Sequence, residues 1–275
     1  MITGSPVEAV PGLNHALRGV VYVKLGGSFI TVKEKPVTLR KDALDAVAAV
    51  LKQVHGEVGL ILGNGGGSFA HYAVKKYCVN DPVQCVVKCH QSTRLLNRMV
   101  VDHLVALGVP ASSLQTSAIV SASPGGGYRV FPDPVYNYLS LGLIPVVYGE
   151  CIPSERGYSV VSTEKVFELL AESIKPLRIV LVTDVKGVYT CNPYTCENPE
   201  LIRRINSGNM EEVLELLSRE EGRDATGSIY GKVKSMSALS RRIGVKVIIV
   251  SGFDQKGLAD AIVKGEVEEG TVIEP

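Results

Sequence analysis

The sequence predicts an α/β protein built on a mainly parallel β-sheet with helices on both faces. Three observations lead there. Short runs rich in valine, isoleucine and leucine recur along the chain, namely "VVYVKL", "VGLILG", "LIPVVYG", "RIVLVTD" and "VKVIIVSG", and such runs, ended by glycine or a polar residue, read as strands buried on both faces. Between them lie segments whose apolar residues recur at helical spacing. No repeat or convincing linker divides the 275 residues, of which 45% are hydrophobic and 21% charged, so a single domain over 20–275 is expected behind an N-terminal arm over 1–19.

Taken in order, the arm has prolines and glycines but no period. The first strand ends at "KLGG". From Thr38 to about His55 a helix is predicted, with Leu39, Leu44, Val47, Val50 and Leu51 on one face. The second strand, "VGLILG", leads into the predicted helices "HYAVKKY" and "STRLLNRMVVDHLVALG". "SPGGGYRVF" and its continuation read as a hairpin inserted at the sheet's edge, "LIPVVYG" as a strand and "TEKVFELLAESI" as a helix. "MEEVLELLSRE" and "GKVKSMSALSRRIG" are the last predicted helices before the strand "VKVIIVSG". In such a sheet the ligand site lies at the carboxyl ends of the strands.

A formal net charge of +1 offers no broad field for nucleic acid or an anionic membrane, so an anion site must be local. The N-terminus has neither a basic lead nor a long apolar core, and no later run is long enough to span a bilayer, so a cytoplasmic protein is expected. Six cysteines scattered over this length do not make a disulfide scaffold. Cys85, Cys89 and His90 are close enough to hold a metal, but no second pair completes a zinc set, and buried thiols are expected instead. Cys191 and Cys196 sit in a turn-rich loop. Free thiols are the expectation there in cytosol, a local disulfide in a hyperthermophile.

The chemistry gathers at strand ends. In "KLGGSF", Lys24 ends a strand and Gly26, Gly27 and Ser28 follow; bare backbone there lets N–H groups approach phosphate, and the lysine adds a compact charge. Glycine pairs also serve ordinary tight turns. "GNGGGSFAH" repeats the arrangement one strand later with Gly66, Gly67 and His71. The histidine can donate to a phosphate or simply pack at a helix start. "VTDVKGVYTCNP" supplies Asp184, Tyr189 and Thr190, and "DATGSIYGKVKSM" supplies Gly227 and Lys232, which also read as a helix cap and a solvated lysine. Neither GxxxxGK[ST] nor GxGxxG is present.

These four elements, in this order, resemble the amino-acid kinase superfamily from about Val20 to the C-terminus. Within it "KLGGSFITVK", "GGGSFAH", "PVVYGE", "TDVKGVYTCNP" and "DATGSIYGK" look most like the isopentenyl phosphate kinase branch. The resemblance implies a three-layer αβα sandwich, acting as a homodimer, that transfers the γ-phosphoryl group of ATP, with Mg²⁺, to isopentenyl phosphate, a small alkyl monophosphate, in isoprenoid synthesis. It implies that Lys24, Lys33 and Lys232 neutralise charge and that Glu164 organises the lysines. Gly26, Gly27, Ser28, Gly67, Asp184, Tyr189, Thr190 and Gly227 would hold ATP. Gly66, His71, Gly149 and Thr163 would hold the acceptor. Leu95, Leu96, Met99 and Val100 line a slot for a prenyl tail or belong to plain core.

The chain departs from the family pattern at four positions. Thr163 and Glu164 stand where Gly-Asp is usual, Asn64 replaces a histidine, and Ser228 stands for a second glycine. These changes bear on the acceptor more than on ATP. They leave open a kinase for another phosphorylated small molecule or a nucleoside monophosphate, and a nucleotide-binding regulatory protein without turnover.

Overall fold

The computed structural model describes residues 19–32, 35, 37–78, 81–155, 157–221 and 229–275. All but the last residue of the expected N-terminal arm, Lys33, and the Gly227 and Ser228 positions lie outside the described residues.

"VVYVKL" forms β1 (Val20–Leu25), buried along its whole length. Side chains alternate across a strand. Val20 and Tyr22 therefore enter one core, while Val21, Val23 and Leu25 enter the other. Lys24 has the parity of Tyr22, which sets the face on which its ammonium group is found. One turn of helix, α1 (Gly27–Ile30), precedes α2 (Lys41–Val54) and β2 (Gly59–Asn64). Helices α3 (Gly67–Tyr77) and α4 (Pro82–Ala106) follow. The start of α4 lies well before the predicted "STRLLNRM" because Asp81 caps it, accepting from Val83 N at 2.9 Å and Gln84 N at 3.0 Å, with Pro82 in the first turn.

Next come β3 (Ala111–Ser113), α5 (Thr116–Ile119), β4 (Val120–Ala122), β5 (Tyr128–Val130), α6 (Asp133–Ser140) and β6 (Ile144–Tyr148). A hairpin of β7 (Glu150–Ser154) and β8 (Gly157–Val161) leads into α7 (Thr163–Leu170) and β9 (Pro176–Thr183). The ribbon of β10 (Val188–Tyr189) and β11 (Leu201–Ile202) precedes β12 (Arg204–Ile205), α8 (Met210–Glu221) and α9 (Ile229–Ile243). The chain closes with β13 (Val247–Ser251), α10 (Gln255–Val263) and β14 (Gly270–Ile273).

Among the described residues the main sheet has eight strands in the order β12-β14-β13-β9-β1-β2-β6-β3. The six from β13 to β3 run parallel, and β14 is antiparallel to β13. Helices α2, α4 and α10 pack on one face through Leu44, Leu51, Leu96, Leu104, Leu258 and Ile262. The other face carries α6 to α9, through residues such as Phe167, Leu217 and Met236. The architecture is a three-layer αβα sandwich, as expected. The chain fills one side of β1 with β2, β6 and β3 before crossing to β9 and β13. The crevice at the carboxyl ends of β1 and β9 is therefore the topological switch point.

Several expectations need correction. The hairpin at "SPGGGYRVF" pairs β5 with the preceding β4, while the continuation is α6, and among the described residues β4 and β5 form a two-stranded sheet of their own that does not extend the main one. Leu96 and Val100 are buried in the sheet-facing core with Met99 packed against it, while Leu95 points to solvent, so these residues are core and surface. Cys85 is bonded to Cys78, not a free thiol, and Cys191 is bonded to Cys196. Cys89 is a buried thiol, as expected, and so is Cys151. No group of three metal-binding side chains occurs among the described residues. No described helix is long and apolar enough to cross a membrane.

Candidate active site

The parallel register brings three loop-bearing strand ends, those of β1, β2 and β9, to one edge. Lys24 and Leu25 pair with Gly63 and Asn64 on one side and with Leu181 and Val182 on the other. The glycines that follow β1 and β2 are therefore neighbours, and they interlock. A Cβ on Gly27 would lie 2.4 Å from Gly67 N, and one on Gly67 would lie 2.3 Å from Thr31 Oγ1. Gly67 also holds φ +48°, a left-handed conformation. Thr31 ties the two loops together: its hydroxyl donates to Gly27 O at 2.7 Å and accepts from Ser68 N at 3.1 Å. The Gly26 N–H is committed to Val182 O at 2.9 Å. That glycine provides close approach, and the amides without a main-chain partner among the described residues are those of Gly27, Ser28, Gly66 and Gly67.

Beneath the loops lies a charged centre. Lys24, buried at the end of β1, forms a hydrogen-bonded ion pair with Glu164 in the first turn of α7. Ser162 caps that helix, accepting from Lys165 N at 3.2 Å, and so fixes where Glu164 projects. Burial pushes the Glu164 carboxyl up. The charge and hydrogen bond of Lys24, a backbone N–H and the charge of Lys232 outweigh it and hold the group below the ordinary glutamate range. Lys232, on α9, lines one recess with Lys24, Gly26, Val182, Thr183 and Ile229. Two lysines and the carboxylate between them thus converge from three elements.

Thr163 and Glu164 behave differently although they are adjacent. Thr163 is buried, its hydroxyl donates to Asn64 O at 2.7 Å, and its methyl fills the space that a side chain on Gly63 would need. It clasps α7 to the end of β2, and Gly149 packs closely over the start of the same helix. Asn64 in turn accepts from Asn97 Nδ2 on α4 at 2.8 Å, and Asn97 accepts from Ser113 Oγ. One turn earlier on α4, Arg94 donates to the fully buried Glu150 at 2.8 Å. Arg94 also meets His90 Nδ1 at 2.7 Å. Arginine has no acceptor, so Nδ1 accepts and the proton sits on Nε2, which donates to Cys151 O at 2.7 Å. His71 lies in α3, beyond the glycines; its side chain is outside what is described.

On the other side of the loops, Asp184 directly follows β9. Ser28 Oγ donates to its Oδ1 at 3.4 Å and the Tyr194 hydroxyl to its Oδ2 at 3.2 Å. Tyr189 and Thr190 stand at the β10–β11 ribbon, where the Thr190 amide and hydroxyl are both bonded to the Glu200 backbone, at 2.9 and 3.1 Å. The carboxylate of Asp184 and the hydroxyl of Ser28 are hard oxygen donors suited to a hydrated divalent cation that brings phosphate oxygens of its own. The sequence reading did not single out Asn97, Arg94, Glu150 or Tyr194. The only signals were a His90/Arg94 pair at helical spacing and a tyrosine enclosed by two cysteines.

Comparison with known proteins bears on the family and the fold. Isopentenyl phosphate kinase of Methanothermobacter thermautotrophicus is 30% identical over 269 residues, covering 92% of this chain and 98% of that protein. Uridylate kinase of Thermococcus kodakarensis is 27% identical over 255 residues, covering 91% and 97%. The crystal structure of T. acidophilum isopentenyl phosphate kinase in a product complex superposes with a TM-score of 0.71 at 25% identity, over 93% of this chain and 100% of that one. The profile of the amino acid kinase family matches residues 20–251, and the chain belongs to that family.

Proposed function

We propose that the protein transfers the γ-phosphoryl group of ATP to isopentenyl phosphate, giving isopentenyl diphosphate. The observation that carries the reading is the convergence of Lys24, Glu164 and Lys232 beneath two glycine loops. Phosphoryl transfer is catalysed mainly by positioning and by stabilising charge on the equatorial oxygens. Two ammonium groups, one paired with Glu164 and the other near enough for its charge to act on the same carboxylate, are suited to that task, and Lys33 would be a third. The amides of Gly27, Ser28 and Gly67 would take ATP phosphate oxygens, with Gly26 allowing the close approach. Mg²⁺ bound with the nucleotide supplies charge neutralisation, and Asp184 with Ser28 would hold it. Tyr189, Thr190 and Gly227 would flank the rest of the nucleotide.

The acceptor phosphate is already an anionic nucleophile at neutral pH, so the chain needs no general base. Gly66 and His71 would clamp it in line with the γ-phosphorus, which is where orientation contributes most. Thr163 and Gly149 shape the acceptor side by fixing α7 against β2. In this reading the protein is cytoplasmic and a homodimer.

A second reading keeps the fold and the ATP half but changes the acceptor to another phosphorylated small molecule, such as a nucleoside monophosphate. The uridylate kinase relative and the threonine at position 163 favour it. One experiment tests both: ADP release from MgATP with isopentenyl phosphate, dimethylallyl phosphate, uridylate, phosphomevalonate and N-acetylglutamate. Saturable preference for isopentenyl phosphate is expected; turnover only with another acceptor overturns the substrate. With the working acceptor, His71→Ala should raise its KM while leaving that of ATP nearly unchanged.

A further inference from the structure

The loop between Cys191 and Cys196 is built more firmly than its position requires. A disulfide closes it. Inside it, Asn192 organises a tight turn: its side-chain oxygen accepts from Tyr194 N at 3.0 Å, and its carbonyl accepts from Thr195 N at 3.2 Å and Cys196 N at 3.0 Å. The product of this construction is an outward-standing Tyr194, 70% exposed, whose hydroxyl reaches back to Asp184 Oδ2 at 3.2 Å. Surface loops are ordinarily mobile and surface tyrosines need no support. A bond from an exposed hydroxyl to a carboxylate adds little if the loop is free, because water replaces it. Held by a covalent staple, the same hydroxyl is preorganised.

Each oxygen of Asp184 has a defined partner. Ser28, in the glycine loop, takes Oδ1, and Tyr194 takes Oδ2. The two bonds fix the plane of the carboxylate, which otherwise rotates freely about its last torsion. We infer that Tyr194, carried by the Cys191–Cys196 staple, is a positioning residue that orients the Asp184 carboxylate for the divalent cation of a metal–nucleotide complex. The inference rests on the proposed ATP site and adds to it a residue and a covalent device. It also makes nucleotide affinity dependent on the oxidation state of this one disulfide.

The test is calorimetric titration of the whole protein with MgATP and, separately, with ATP in excess EDTA. Tyr194→Phe removes only the hydroxyl. The Kd for MgATP should rise about fivefold, the scale of one hydrogen bond to a charged group, while the Kd for metal-free ATP stays the same. A purely structural role for the tyrosine would move both. Cys191→Ser with Cys196→Ser should reproduce the MgATP shift with Tyr194 present and the Cys78–Cys85 bond intact. An unchanged MgATP Kd in Tyr194→Phe, or an equal loss with and without the cation, overturns the inference and leaves the ATP site standing. An unchanged Kd in the cysteine variant overturns the role of the staple. Wild-type protein that binds no MgATP overturns the ATP site and the inference together.

Discussion

Two carboxylates, one fully buried and one half-buried, flank the β7–β8 hairpin, and they are held in contrasting ways. Glu150, fully buried, has one oxygen bonded to Arg94 Nε and the other to Ser117 N, each at 2.8 Å. Glu164 has Lys24 as its ion-pair partner and a second lysine acting on it from α9. A guanidinium is a planar fork fixed in direction, whereas an ammonium is a point charge on a flexible stem. The first arrangement joins α4 to the start of β7 and to α5. The second joins an ammonium on a flexible stem to a carboxylate that also feels the charge of Lys232, so Lys24 can turn towards an incoming phosphate while the carboxylate still has a cation acting on it. The charge type is the same at both sites; what separates structure from chemistry is whether the cation can be redirected.

The largest effect should come from breaking the second site. Lys24→Ala is expected to lower kcat about a hundredfold or more, the scale of removing one preorganised donor to transition-state charge, with circular dichroism showing retained secondary structure. At the first site, Glu150→Ala should lower the unfolding free energy by about 2 kcal/mol, below the usual figure for a broken buried pair because Arg94 is partly exposed and can be rehydrated. Urea denaturation measures this, and kcat per folded molecule should stay close to wild type; a large loss of kcat would erase the distinction between the sites.

Acid sharpens the comparison further. The folded-state pKa of Glu164 is depressed, so its contribution to stability is fully present above the unfolded value, about 4.3, and is lost as pH falls through the folded value. Wild type should therefore lose stability on acidification below about pH 4 more steeply than Glu164→Gln does; parallel curves would show that the pair adds no such dependence. The smallest effect belongs to Thr163. Thr163→Val should cost about 1 kcal/mol through the lost bond to Asn64 O, and Thr163→Ser, which keeps that bond but loses the methyl packed over Gly63, should cost about as much.

Much of this was legible in the chain. The parallel strands announced themselves as β-branched runs, and the residues at their ends, Lys24, Gly27, Gly67 and Asp184, were the polar or bare positions that interrupt those runs. Glu164 was visible beside a helix start. What stayed hidden depends on partners distant in sequence. Glu150 in "YGECIP" looks like any charged residue after a strand, and only the packing of α4 reveals that Arg94 reaches it. The Cys78–Cys85 bond joins the end of one helix to the start of the next, a relation invisible until α4 is seen to begin at Pro82. β14 is short and pairs antiparallel, so it lacks the long apolar run that marks its neighbours. The Gly26 amide shows the same limit, since the sequence identifies a glycine after a strand but not the Val182 carbonyl that accepts its hydrogen bond.

The contact between Gly27 and Gly67, with Thr31 bonded to both loops, makes one mechanical body of two loops, the second of which leads on to His71. A displacement that a nucleotide would impose on the glycines must be shared by the start of α3, and one that an acceptor would impose there must return by the same route. Thermodynamic linkage then requires symmetry: whatever factor bound nucleotide applies to acceptor affinity, bound acceptor applies to nucleotide affinity. Two substrates bound side by side on these loops would sense each other through the absence of two side chains.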